Sequence, residues 1–376
     1  MSKKNVPFFE YPRLWLDDKD ELISIIDSIS STGGFILQKA VFDFEKELAK
    51  YTGSNYSVGV ANATDGMEIF LDAIGIQEND EVIISSHTML ATASAIKVCG
   101  GVPVPVEIGK DKLIDPEAVE DAITSKTVGI MPTQLNGRTC DMDSIMKIAK
   151  KHGLFIIEDA AQALGSKFKG KHSGTFGLAS AISFFPAKVL GCLGDAGAVL
   201  VNDDELYHKI YQIHDHGRDL DGEVKRWGRN SRLDNIQAAI LSHKLKSYEN
   251  VIQRRREIAV MYQKRLGGLE ELVLPPAPNS DLDHFDVFQN YEIEAENRDS
   301  LKLYLNNNNI GTLIQWGGLA VHQFKQLGFN QSLPKTENFF KRCIMLPMNV
   351  FISNDDIDYI CDKVYHFYRG NGKKTF

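Results

Sequence analysis

The sequence predicts an α/β large domain, a mostly parallel sheet with helices on both faces, followed by a smaller C-terminal α+β domain. Three observations carry this. Between residues 56 and 201, short strand-like runs alternate with helical segments, the pattern of βαβ units. Runs such as Leu154-Phe155-Ile156-Ile157 are continuously apolar, as in strands covered on both faces. Beyond a long helical stretch the pattern changes to scattered strands, which predicts a second unit. The chain of 376 residues is long enough for both. The boundary is placed near residue 250, within helix, giving residues 1–250 and 251–376.

In order, an amphipathic helix is predicted over about 18–30, then Thr32-Gly33-Gly34, then a helix over about 40–51. Tyr56 to Val60 is strand-like and runs into Asn62-Ala63-Thr64-Asp65-Gly66. A helix starts there, with Thr64 or Asp65 as N-cap and Glu68 placed for a capping box. Free backbone N–H groups at such a start bind phosphate, although a plain strand–turn–helix junction has the same sequence. Further strands are predicted at 81–85, 102–106, 128–131, 154–158, 181–185 and 198–201, with helices at 91–98, 116–123 and 142–151. Helix then runs from about 205 to 266 with a break at 215–230. Segments 285–294, 311–315 and 344–347 suggest the strands of the smaller domain.

At 43% hydrophobic and 24% charged, the composition is that of an ordinary globular protein, and the net charge of −8 gives no support for a nucleic-acid partner. The densest basic cluster, Arg254-Arg255-Arg256, is expected to be a solvated helix face. No apolar run reaches spanning length, and Met1-Ser2-Lys3-Lys4-Asn5 has no apolar segment behind it, so no membrane association is expected. Cys99, Cys140, Cys192, Cys343 and Cys361 are odd in number and widely spaced. That pattern favours free thiols in a reducing cytoplasm over disulfides or a metal site. Cys192 lies near Lys188 and is either reactive or a small buried thiol.

Lys188 is the only charge between Ala181 and Asp195. By itself it reads better as a snorkelling surface lysine beside a Gly-rich turn. Upstream, the buried run at 154–157 ends in Glu158-Asp159-Ala160-Ala161-Gln162, and open α/β sheets bind ligands at the carboxyl ends of their strands. A pyridoxal phosphate enzyme needs a lysine to hold the cofactor and a carboxylate to keep its ring nitrogen protonated. Lys188 and Asp159 suit those roles.

Phe44-Glu45, Asn62-Ala63-Thr64-Asp65, Glu81-Val82-Ile83, Glu158-Asp159-Ala160-Ala161-Gln162, Ser183 to Lys188 and Asn230-Ser231-Arg232-Leu233-Asp234 together resemble the nucleotide-sugar aminotransferases of the DegT/StrS type. These belong to the fold type I pyridoxal phosphate enzymes, and the resemblance runs from about Phe8 to Tyr368. It implies pyridoxal 5'-phosphate held by Lys188, with Asp159 on the pyridinium nitrogen, Gln162 beside the ring and its hydroxyl, and Ala63, Thr64 and Ser183 on the phosphate. His87 falls where an aromatic residue is expected to stack on the ring. Asn230 would reach the phosphate of the other subunit, implying a homodimer with shared active sites. L-glutamate is the implied donor and a nucleotide-linked keto sugar the acceptor.

Relatives acting on 3-keto sugars tend to carry Gly-Asp-Gly-Gly after the lysine, and those acting on 4-keto sugars Glu-Gly-Gly. Gly194-Asp195-Ala196-Gly197 sides with the 3-keto group, with Ala196 strained if its φ is positive. Two sugar-facing segments depart from the family: Leu135-Asn136-Gly137-Arg138 and Gln315-Trp316-Gly317. Asn136, Arg138, Arg218, Gln315 and Trp316 are therefore the candidate substrate residues. Either arginine could pair with a diphosphate or sugar carboxylate, or equally form a surface salt bridge. Three further readings stand beside the transaminase. A sugar dehydratase on the same fold would replace the lysine or need clustered cysteines. A non-catalytic regulatory protein would be expected to have lost part of the Lys188, Asp159 and Gln162 set. A dinucleotide-binding protein would need the missing G-x-G-x-x-G.

Overall fold

Most strands of the large sheet end on one side, and that side carries the site. The computed structural model describes residues 4–370; Met1, Ser2 and Lys3 of the N-terminal reading lie outside the described residues. Helices α1 (Tyr11–Leu16), α2 (Lys19–Ser30) and α3 (Lys39–Thr52) lead into β1 (Tyr56–Val60) and α4 (Ala63–Ile74). There follow β2 (Glu81–Ser85), α5 (Leu90–Val98), β3 (Val102–Val106), α6 (Pro116–Asp121), β4 (Thr127–Met131) and α7 (Met142–His152). Next come β5 (Phe155–Ile156), β6 (Glu158–Asp159), a small ribbon of β7 (Lys167–Phe168) and β8 (Lys171–His172), then β9 (Ala179–Ser183) and β10 (Gly197–Val201).

Strand β2 pairs in parallel with β3 and β4, β4 with β5, and β6 with β9. Strand β10 runs antiparallel to both β9 and β1. The two halves join where Ile157 N–H donates to Ile130 O (3.2 Å) and Asp159 N–H to Pro132 O (3.1 Å). The order is thus β3-β2-β4-β5/β6-β9-β10-β1, mostly parallel. The segment predicted as one strand over 154–158 divides at Ile157. Gly129 of β4 is required because a Cβ there would lie 2.0 Å from the Phe155 ring.

Beyond the sheet run α8 (Asp204–His214), α9 (Asn235–Leu245) and α10 (Tyr248–Leu266), with the break over 215–230 as a protruding hairpin. Helix α10 crosses residue 250 without interruption. The C-terminal part holds β11 (Leu272–Val273), β12 (His284–Phe285), β13 (Tyr291–Ala295), α11 (Arg298–Asn307), α12 (Pro334–Arg342), β14 (Cys343–Leu346) and α13 (Asn354–Arg369). Strand β13 lies between β11 and β14. One apolar cluster gathers Ile258, Tyr262, Leu301, Ile344 and Ile360, and takes in Val6 from the other end of the chain. The segment around Val6 therefore packs with the C-terminal unit, which a division at residue 250 does not capture.

Three local expectations are corrected. The N-cap of α4 is Asn62, whose Oδ1 accepts from Asp65 N–H (2.9 Å); Glu68 is engaged by Arg229 instead. The strand predicted over 311–315 is a single bridge, Leu313 to Met345, before a tight turn in which Trp316 and Gly317 have positive φ. The strand predicted over 285–294 is interrupted at Phe288 (φ 51°). The arginine cluster is not a solvated face either. Arg255 and Arg256 are buried, and their guanidinium groups donate to the carbonyls of Phe288, Gln289 and Asp286. Ala196 is buried and absent from the positive-φ residues, so it carries no strain.

Candidate active site

A cavity of about 700 Å³ opens at the carboxyl ends of the strands. Around it stand Asn62, Ala63 and Thr64 at the start of α4, Asp159 from the end of β6, Gln162, Ser183 from the end of β9, and Lys188. The turn carrying the lysine is closed by Lys188 N–H donating to Phe185 O (2.8 Å). Gln289 fastens it from the far side: its Nε2 donates to Ala187 O (2.8 Å) and its Oε1 accepts from Val189 N–H (2.9 Å). Arg255 in turn holds the Phe288 and Gln289 carbonyls. The buried arginine thus acts through Gln289 on the backbone either side of Lys188.

Enclosure lowers the Lys188 ammonium from its ordinary 10.5 to about 8, the nearby Asp159 carboxylate opposing the shift. An amine so placed sheds its proton near neutrality and is a competent nucleophile. Asp159 is pushed up by burial, and this is opposed by three partners: the Thr92 hydroxyl, the Ala161 N–H and Lys188. Thr92 Oγ1 donates to Asp159 Oδ2 (2.6 Å) and stands at the end of a hydroxyl chain, Thr133 to Thr88 (2.8 Å) and Thr88 to Thr92 (2.7 Å). Because a carboxylate only accepts, every hydroxyl of the chain points its proton toward Asp159. Glu158, one residue earlier, faces the other side of the sheet. There it is fully buried and accepts from Gly174, Phe176 and Gly177 N–H and from Gln134, a structural anchor.

Residues 17–365 match the model of the DegT/DnrJ/EryC1/StrS aminotransferase family. The chain belongs to this family. A protein of Geobacillus stearothermophilus named pleiotropic regulatory protein is 37% identical over 97% of this chain and 99% of its own length. The UDP-2-acetamido-2-deoxy-3-oxo-D-glucuronate aminotransferase of Pseudomonas aeruginosa is 36% identical over 91% and 95%. Among solved structures, S. venezuelae DesV in complex with a ketimine intermediate is 33% identical and superposes with a TM-score of 0.93, covering 98% of this chain and 100% of that one.

This DegT-family aminotransferase is a pyridoxal phosphate enzyme, and the residues around the cavity fit that cofactor. The first N–H groups of α4 have no partner within the helix and lie beside Ser183, a cradle for a phosphate. Gln162 Oε1 is occupied by Asn136 N–H (3.0 Å) and Asn290 Nδ2 (3.3 Å), which turns the amide –NH₂ toward the cavity as a donor. Lys188 and Asp159 complete the set.

Two cofactor expectations do not share this place. The ring of His87 is buried among Phe339, Phe340 and Trp316. Its Nδ1 bonds Lys112 O (2.9 Å) and its Nε2 lies 3.2 Å from Glu292 Oε2. It does not line the cavity; Met89, two residues on and 56% exposed, does. Asn230 is exposed on the hairpin, away from its own chain's cavity. Of the substrate candidates, Gln315 and Trp316 line the cavity. Arg138 is consumed by ion pairs to Asp286 (2.6 Å) and Asp281 (2.9 Å). Arg218 sits on the hairpin, 3.5 Å from Asp215, and Asn136 stands behind the wall with its polar atoms bonded to protein. Cys192 is buried, its thiol pushed up to about 11 by enclosure, and so is a packing residue.

Sequence reasoning missed Thr88, Thr92, Thr133, Gln289, Arg255 and Met89. For Met89 a signal existed, since the N-cap position of α5 at a strand end faces the ligand side. Thr88 adjoins His87 and Thr133 lies just before Leu135, but nothing in their residue type marked them, and Thr92, Gln289 and Arg255 left no local sign.

Proposed function

We propose that this aminotransferase moves an amino group from L-glutamate to the keto group of a nucleotide-linked sugar, at C3 rather than C4, in amino-sugar or polysaccharide biosynthesis. The observation that carries the reading is the meeting of a weakly basic Lys188 with Asp159, Gln162 and a free helix start around one cavity. The nucleotide-sugar class is supported by the name of the Pseudomonas aeruginosa relative, which carries a 3-oxo sugar. Gly194-Asp195-Ala196-Gly197 supports the same carbon.

Bound pyridoxal phosphate supplies an electron sink that lets a proton leave the carbon bearing nitrogen. The protein does the rest. Asp159, fixed by Thr92 and Ala161, holds the proton on the ring nitrogen. Gln162 donates to the ring hydroxyl, and the α4 start with Ser183 anchors the phosphate. The Lys188 amine takes the proton from one carbon and returns it to the other, a positioned transfer that contributes ~10²–10⁴-fold. Nitrogen thus passes from donor to acceptor sugar with no net redox change.

The active unit is a homodimer in which the hairpin carrying Arg218 and Asn230 reaches the partner's cavity. Trp227 at its base is 99% exposed, with Leu220 and Val224 also open, an apolar surface that asks for a partner. The compartment is the cytoplasm, supported by the five free thiols. Among the described residues, no helix is long and apolar enough to cross a membrane and no group of side chains could hold a metal ion.

The test is the visible absorption of the purified holoenzyme. L-glutamate should bleach it, and a 3-keto sugar nucleotide should restore it faster than the 4-keto isomer. A protein that binds no cofactor would instead point to a regulatory role, the word in the Geobacillus stearothermophilus relative's name. Bleaching reversed only by the 4-keto isomer would move the chemistry to C4.

A further inference from the structure

The wall of the cavity around Gln315 is organised from behind by Glu292, a residue that no motif singled out. Glu292 of β13 is buried, and its Oε2 accepts from Asn136 Nδ2 (2.7 Å) and Gln315 Nε2 (3.1 Å). Asn136 Oδ1 accepts from Asn290 Nδ2 (2.8 Å) and from Gln315 Nε2 (2.9 Å).

The direction of every bond here follows from one fact: a carboxylate accepts and does not donate. Asn136 and Gln315 must turn their –NH₂ groups to Glu292. The carbonyl of Asn136 then faces Asn290 and Gln315, and both answer with –NH₂. What is left over is fixed in turn. Gln315 Oε1 and Asn290 Oδ1 have no partner among the described residues, yet neither is sealed off. Both residues line the cavity. The wall offers two carbonyl oxygens.

Arg138, the nearest arginine behind this wall, is held by Asp281 and Asp286 and is not available to these oxygens. The His87 ring reaches Glu292 from behind and is itself enclosed. A carboxylate facing the two carbonyls would be repelled and left without donors, whereas a hydroxyl or an amide N–H would satisfy them.

We propose that Gln315 and Asn290, set by Glu292, select an acceptor sugar whose edge carries hydrogen-bond donors, hydroxyl or acylamino N–H, and reject a uronic acid there. Glu292 is a positioning residue that acts through the two amides. The proposal rests on the sugar aminotransferase reading and narrows its substrate class. It also separates this chain from the Pseudomonas aeruginosa relative, named for a glucuronate.

The test uses holoenzyme converted with L-glutamate and then mixed with two sugar nucleotides of the same 3-keto configuration. One ends in a hydroxymethyl group and the other in a carboxylate. The neutral sugar should be favoured ~10–100-fold in kcat/KM, the effect of leaving a buried polar group without its partner. Glu292→Met leaves the amides free to turn, so the preference should shrink toward unity. The bleaching by L-glutamate should persist, because Gln162 keeps its bond from the Asn136 backbone. A residue with a merely structural role would lower both sugars alike and leave their ratio unchanged. Gln315→Met, which removes one carbonyl at the cavity surface, should also reduce the preference. Equal or better turnover of the uronate by the unaltered enzyme overturns the proposal while leaving the transaminase reading intact. Failure of L-glutamate to bleach the enzyme is a failure of that earlier reading instead.

Discussion

Lys188 is the residue on which the proposed chemistry turns, and its environment makes a measurable prediction. Enclosure penalises its charged form, so the proton is lost as pH rises through about 8 rather than 10.5. The rate at which apoprotein combines with added pyridoxal phosphate should climb to about pH 8 and then level off. A climb that continues toward pH 10 would mean that the amine is solvated. The same shift enters stability with a definite sign. The folded chain binds this proton less tightly than the unfolded one, so Lys188 disfavours folding of the apoprotein below pH 8 and progressively less from 8 to 10.5. Lys188→Met should therefore abolish turnover yet raise the melting temperature of the apoprotein at pH 7, and the gain should fade above pH 8. The residue types at the site were legible because they stand at strand ends, where position and chemistry coincide. His87 does not line the cavity whereas Met89, two residues on, does, because the loop has no period to fix which side chain faces in. Gln289 and Thr92 were invisible because their partners lie 102 and 67 residues away.

The element that most directly serves the cofactor is the start of α4. Asn62 caps it through Asp65 N–H, leaving the Ala63 and Thr64 N–H groups to the cavity. Gly197 of β10 lets the helix start come close, since a Cβ there would fall 2.5 Å from the Asn62 carbonyl carbon. Asn62→Ala should cost about 1 kcal/mol of stability and loosen the phosphate cradle, seen as faster loss of cofactor on dialysis. Unchanged retention would mean that other groups carry the phosphate. The strands of the large sheet were legible because burial on both faces leaves continuous apolar runs, and β2 and β3 fall within the predicted bounds. The segment at 311–315 has the same residue types but ends in a turn with two positive φ values. Its backbone is bonded on one side by a single bridge, so local composition alone could not reveal it. The arginines of α10 misled for a related reason. Charge suggests solvent, yet carbonyls freed by the irregular stretch at 286–290 needed donors, and Arg255 and Arg256 supply them.

At the scale of the whole molecule, one chain places its cavity and its hairpin apart. The hairpin is a built structure. Arg229 bridges Glu68 and Asp72 of α4, and Gly217, with positive φ, is pressed so close to the Arg226 carbonyl that no side chain could stand there. A ribbon with an exposed tryptophan at its base, close to Asn230, is suited to entering a second copy. The proposed shared sites predict complementation between two defective proteins. Lys188→Met lacks the amine but still offers Asn230 to its partner, and Asn230→Ala lacks the asparagine but keeps its own lysine. Each homodimer should be inactive or severely impaired. When the two are unfolded together and reassembled, every mixed dimer has one site with both defects and one with neither. Activity should reappear in the mixture, with an unchanged KM for the sugar nucleotide, and should be absent when the proteins are mixed without reassembly. If reassembly restores nothing while size measurements show mixed dimers, each chain completes its own site, and the hairpin serves contact alone.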